Sequence, residues 1–162
     1  MPKPKNKSLM VDLNKLKQLR KETGISFAMC KKALEETKND IAASKKLMQK
    51  WGLEKAVDKE KRLTTQGAIF SYIHHNQKVA SLVEILCETD FVASNSDFKI
   101  LGQEIAMQIA SMPSKNVREL LEQEYVRDSS KKISDIIKEA ILKFGENIKI
   151  GRFIKWNLGI ES

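Results

Sequence analysis

The stretch with the fewest structural solutions in this chain is GAIFSYIHHNQKVASLVEILC, residues 67–87. Two runs rich in β-branched and aromatic residues are split by the polar HNQK, which predicts a β-hairpin turning around His75–Lys78. The second run, VASLVEILC, is nearly all apolar. A strand of that composition is central in its sheet or covered on both faces. A third strand is predicted at IKIGRFIKW, Ile148–Trp156, where apolar and polar residues alternate at period two.

Helices separate the hairpin from that last strand. Over about 95–112, Phe98, Leu101, Ile105, Ile109 and Met112 form one apolar stripe, and Pro113 lies just past its end. Residues 116–126 suggest a short helix. ISDIIKEAILKF, residues 133–144, places Ile133, Ile136, Ile137, Ala140, Ile141 and Phe144 together, with Gly145 as the stop. The expected fold class is α+β, a small antiparallel three-stranded sheet with helices packed on one face.

Ahead of the hairpin the punctuation is helical three times. Asp12 can cap a helix carrying Leu13, Leu16 and Leu19 that Gly24 ends. Ser26 can cap a second, with Phe27, Cys30, Ala33 and Leu34 on one side. Asp40 can cap a third, carrying Ile41, Ser44, Leu47, Met48 and Trp51; Gly52 could close it, or the helix could run on. Three short helices with so little core suit docking better than chemistry. The expected organisation is a disordered basic tail over 1–10, a three-helix docking module over 11–52, a charged linker over 53–66, and an α+β domain over 67–162.

Lys and Arg number 29 against 21 Asp and Glu, a formal net charge of +8. That excess suits nucleic acid, an acidic protein or a ribosome-rich setting. The signs are mixed within most basic stretches, as in EKAVDKEKR, which is the composition of a solvated helix face. The pairs Lys31-Lys32, Lys45-Lys46 and Lys131-Lys132 sit among acidic neighbours and lack the stacking aromatics of specific RNA recognition. No specific nucleic-acid partner is expected. Nor is a membrane partner, since no apolar stretch approaches the ~20 residues that span a bilayer. MPKPKNKSLM has no apolar signal core, and two cysteines make no disulfide framework. A reducing, cytoplasmic setting is the simpler expectation.

Chemistry of the usual kinds is not signalled. His74 and His75 are adjacent, and neighbouring strand side chains point to opposite faces, which disfavours a shared metal. Cys30 shares the apolar stripe of its helix. There is no G-x-x-x-x-G-K-S/T loop and no G-x-G-x-x-G after a strand. No metal, no cofactor and no enzymatic bond chemistry are expected of the chain itself.

CETDFVASN, Cys87–Asn95, is the stretch left unexplained. Acidic and small polar residues make loop chemistry, and Thr89 and Asp90 suit a turn or helix start. Phe91 among them is either tucked under the sheet or presented at a loop apex. Composition leaves both open.

Taken together, KQLRKETGISFAMCKKAL, YIHHNQKVASLVEILCETDFVASN and FGENIKIGRF, in that order, resemble the elongation factor Ts family. Its members are nucleotide exchange factors for elongation factor Tu, the GTPase that carries aminoacyl-tRNA to the ribosome. The resemblance covers nearly the whole chain after the basic tail. It implies that the N-terminal bundle is a ubiquitin-associated-like module docking on the partner's G domain. Arg20 matches the contacting arginine, and Phe27 and Ala28 match the residues opening the second helix, which are often methionines in the family. It implies that Thr89, Asp90, Phe91 and Val92 dislodge Mg²⁺ from the GTPase, the phenyl ring wedging between partner side chains near the nucleotide. The helix that follows usually carries an A-M-H-I-A pattern; AMQIA here puts Gln108 at that weaker contact. The chain resembles the compact bacterial form with one core subdomain. Even that form has a helical excursion between the helix ending near Pro113 and Leu120–Gln123, where only a handful of residues stand here.

The function this implies is guanine nucleotide exchange on elongation factor Tu, in its GDP-bound and nucleotide-free states. The alternative carried by the +8 charge, Gln108 and the short segment after Pro113 is a basic RNA- or ribosome-associated protein without exchange activity.

Overall fold

The computed structural model describes residues 10–160. The expected disordered tail lies outside them except for Met10.

Three helices come first, α1 (Leu13–Thr23), α2 (Phe27–Glu36) and α3 (Ile41–Lys59). Each begins at the cap its sequence offers. Asp12 accepts from the Asn14 and Lys15 amides, Ser26 from Met29 and Asp40 from Ala43, which satisfies donors that the first helical turn leaves free. Gly24 ends α1 at φ 66°, a left-handed conformation that side chains with a Cβ resist. Leu16, Leu19, Ile25, Cys30, Ala33, Leu34 and Met48 make the bundle core, joined by Leu142 from a later helix.

α3 does not stop at Gly52. It continues to Lys59, so residues 53–59 of the expected linker are its last turns. Gly52 is buried, and a Cβ there would lie 3.1 Å from the Lys138 carbonyl. Its role is close approach between two helices, and packing outweighs its low helix propensity.

The sheet holds β1 (Gln66–Ile73), β2 (Val79–Cys87) and β5 (Lys149–Asn157), antiparallel in the order β1-β2-β5. The apolar VASLVEILC strand is the central one. Phe70 pairs with Val83, and Val83 with Phe153. One face carries Phe70, Val83, Ile85, Cys87 and Ile150 into the core. Between β2 and β5 run α4 (Asp90–Ser94), α5 (Ser96–Ser111), α6 (Val117–Glu122), a small hairpin β3 (Glu124–Tyr125) and β4 (Asp128–Lys132), and α7 (Ile133–Phe144). α5 lies on the covered face through Phe98, Leu101, Ile105 and Ile109; the Phe70 and Phe98 rings are 6.0 Å apart and tilted by 59°. The β3–β4 hairpin has no signature in the sequence, because EYVRDSSKK has neither alternation nor a turn dipeptide, and the short helix expected over 116–126 ends at Glu122, ahead of β3. The opposite face of the sheet keeps Ile73, Leu82, Ile154 and Trp156 exposed, so β2 is central but covered on one side only.

α5 reaches this sheet at Gly102, where an added methyl would fall within the Phe70 ring. Gly102→Ala should therefore destabilise the protein by about 1–3 kcal/mol through overpacking, despite alanine's better helix propensity. A denaturant melt with an unchanged midpoint would show that the sheet and helix separate more easily than this packing implies.

Candidate functional site

Asp90–Ser94 form a short helix rather than a loop. Thr89 caps α4, its hydroxyl accepting from the Val92 amide at 3.4 Å. Asn95 closes α4 through its own amide and caps α5 by accepting from Asp97 at 2.8 Å. Two helices thus meet at one residue, and the chain turns sharply without glycine. Val92 and Ala93 lean against the core. Phe91 does not: it is 84% exposed, and Asp90 beside it is exposed as well. The structure thus decides between the two placements of the ring that composition left open.

The segment leading into α4 is held by a pair of glutamates. Glu146 Oε2 accepts from the amides of Glu88 and Thr89, both at 3.0 Å, and Glu146 Oε1 accepts from the Thr89 hydroxyl at 2.5 Å. Glu88 returns the contact, its Oε1 accepting from the Asn147 amide at 2.6 Å. Arg62 lies 3.6 Å from the same Glu88 oxygen. Asn147 is buried and donates its side-chain amide to the Arg62 carbonyl at 2.9 Å, and Lys59 bonds to the Gly145 carbonyl. The end of α3, the exit of β2 and the α7–β5 junction are therefore sewn together beneath α4.

The sequence offers Glu88 only as one of three nearby carboxylates, with Glu84 and Asp90, that no pattern marks as an acid–base pair, and it does not mark Glu146 or Asn147 individually. GENI is recognisable as a motif, yet its bonds reach 57–59 residues back, beyond any local pattern.

The other expected contact residues fall in two places. Arg20, Phe27 and Ala28 are exposed on either side of the Gly24–Ser26 turn, with Phe27 50% exposed. They share one end of the bundle. Gln108 is different, for it is wholly buried. Its Nε2 donates to Gln123 Oε1 at 3.1 Å and to the Glu124 carbonyl at 3.0 Å, and its Oε1 accepts from the Val126 amide at 2.9 Å. Gln108 anchors the β3–β4 hairpin to α5, in company with Gln123, which donates to the Pro113 carbonyl at 2.7 Å.

His74 and His75 do come together, with ring centroids 4.2 Å apart. The strand ends at Ile73, so strand alternation no longer separates them. Among the described residues no group of three metal-ligating side chains accompanies them. No helix among those residues is long and apolar enough to cross a membrane.

The sequence matches two family models in tandem. Residues 5–59 match the N-terminal model of elongation factor Ts, described as mitochondrial, and residues 88–161 match the elongation factor TS model. Elongation factor Ts of Coprothermobacter proteolyticus is 41% identical, with 89% of this chain and 96% of that protein covered. The Thermosipho melanesiensis protein of the same name is 35% identical, with 93% and 100% covered. The chain belongs to the elongation factor Ts family. It is thereby a translation elongation factor. Elongation factor Ts of Clostridium acetobutylicum is 38% identical over 91% of this chain but only 48% of its own length. The Coprothermobacter alignment runs to 189 residues, more than the 162 of this chain, so that relative carries residues without a counterpart here.

Both cysteines of this elongation factor are buried. Burial pushes the Cys87 thiol up, and the charge of Glu146 adds to it; burial likewise raises Cys30. A thiol reacts as its thiolate. The folded protein should therefore resist alkylation at pH 8, and both cysteines should react once it is unfolded; rapid labelling of the native state would contradict this packing. Tyr125 is pushed up to about 12 by burial and then by its bond to Glu104. A phenol raised in the fold contributes stability that is complete below the ordinary tyrosine pKa, near 10, and is lost as pH rises through about 12. A spectrophotometric titration should show one tyrosine ionising near pH 12, a step absent from Tyr125→Phe.

Proposed function

We propose that this protein is a guanine nucleotide exchange factor for elongation factor Tu and that α4 supplies its wedge. The observation that carries this is Phe91, 84% exposed on a helix whose N-terminus is firmly tied down. An aromatic ring in water is a cost to the free protein that burial in a partner recovers, about 1.5–3 kcal/mol. One central aromatic commonly dominates an interface.

The mechanism makes and breaks no covalent bond. A nucleotide held at nanomolar affinity represents about 12 kcal/mol of binding. Exchange accelerates when the factor binds the state with a loosened nucleotide better than the closed one, and each ~1.4 kcal/mol is about tenfold in rate. The three-helix segment docks on the G domain through Arg20, Phe27 and Ala28. The Phe91 ring then enters between side chains beside the nucleotide, with Thr89 and Val92 fixing the helix that carries it. The exposed Asp90 carboxylate would repel or compete with the acidic groups that hold the partner's Mg²⁺, loosening their hold on an ion that neutralises the phosphates. Coupling is reciprocal: GDP or GTP weakens binding of this factor as much as the factor weakens the nucleotide, which lets it recycle. The site of action is the cytoplasm, where translation elongation runs.

Release of fluorescent GDP from purified elongation factor Tu tests this directly. The wild-type factor should accelerate release at micromolar concentration. Phe91→Ala should slow the stimulated rate by at least about tenfold while leaving the thermal midpoint within a degree or two, since the residue is 84% exposed and outside the core. Wild-type exchange by that variant would remove the wedge.

A further inference from the structure

α4 contributes no fully buried residue to the core, so packing alone orients it weakly. What orients it lies upstream. Glu146, at the junction of α7 and β5, receives three donors from two consecutive residues: the Glu88 amide, the Thr89 amide and the Thr89 hydroxyl. The amides share Oε2 and the hydroxyl takes Oε1. Both oxygens are committed, and the carboxylate cannot turn without breaking a bond. Held in this way, the Thr89 hydroxyl still offers a lone pair to the Val92 amide, the cap of α4. A continuous path of bonds therefore runs from Glu146 through Thr89 into the turn that carries Phe91. The reciprocal bond from the Asn147 amide to Glu88 stops the two segments from sliding past each other.

We infer that Glu146 is a positioning residue for exchange, setting the direction in which α4 presents Phe91. The inference rests on Phe91 being the wedge. A ring held in its docking direction before contact loses less freedom on binding, and bonds to an ionised carboxylate are the stronger class that can hold it there.

Glu146→Gln keeps the shape but replaces one acceptor oxygen by an NH₂ that meets donors. The measurement is GDP release from elongation factor Tu at rising concentrations of factor, in the wild-type and Phe91→Ala backgrounds. Glu146→Gln should lower the saturated release rate about tenfold and change the half-saturating concentration less, because the bundle still docks. In the Phe91→Ala background it should add no further loss. A purely structural role predicts another pattern, a lowered thermal midpoint with equal effects in both backgrounds, and that pattern overturns the inference. A saturated rate equal to wild type in Glu146→Gln, with Phe91→Ala slow, overturns the positioning role and leaves the wedge standing. A Phe91→Ala protein as fast as wild type removes the wedge and this inference together. Should Glu146→Gln not fold, Glu146→Asp keeps the charge, shortens the reach by one methylene, and is read in the same cycle against the same expectations.

Discussion

Glu88 and Glu146 each hold the backbone beside the other. The Glu146 carboxylate takes the amides of Glu88 and Thr89, and the Glu88 carboxylate takes the amide of Asn147. This crossed arrangement satisfies backbone donors at two places where regular structure stops, the exit of β2 and the entry to β5. Unpaired donors at such half-buried sites are costly, and among the described residues no buried side-chain polar atom lacks a partner. Asn147 and Lys59 extend the same junction to the end of α3. The long helix, the central strand and the last strand are therefore fixed relative to one another at the point from which α4 projects.

That geometry separates stability from contact. The core is built from α5 and α7 against one face of the sheet, with Phe98, Ile105, Ile109, Ile133 and Ile148 fully buried. α4 rides on this core through Val92 and Ala93 and keeps Phe91 and Asp90 outside it. A helix of five residues is too short to be stable by itself. It is capped by a threonine that is itself bonded to a carboxylate 57 residues away in sequence. Gln108 shows the opposite use of a polar group. At a position where the family pattern implies a contact histidine, its amide is spent on the β3–β4 hairpin, closing the short connection after Pro113.

Local signals in this chain are strong where physics is local. Asp12, Ser26 and Asp40 are caps because short polar side chains reach the amides two or three residues on. VASLVEILC is a central strand because its composition tolerates no solvated edge. The same local reasoning leaves Gly52 open as stop or helix interior, since only the approach of α7 makes a glycine useful inside α3. It separates His74 from His75 by strand alternation, although the strand has ended by then. It reads ETDFVAS as loop, because a one-turn helix has no periodicity to detect.

The sequence by itself determined the α+β class, three strands with an apolar second one, the starts of the first three helices and the motifs that resemble elongation factor Ts. These depend on side chains within a turn or two of each other, or on patterns long enough to repeat. Tertiary structure alone decided that Phe91 stands in solvent, that Gln108 lies inside, and that Glu146 grips Thr89. Each of these is a matter of which distant segment occupies the space beside a residue. Exposure and hydrogen-bond partnership are properties of that neighbour, and the neighbour arrives only with the fold.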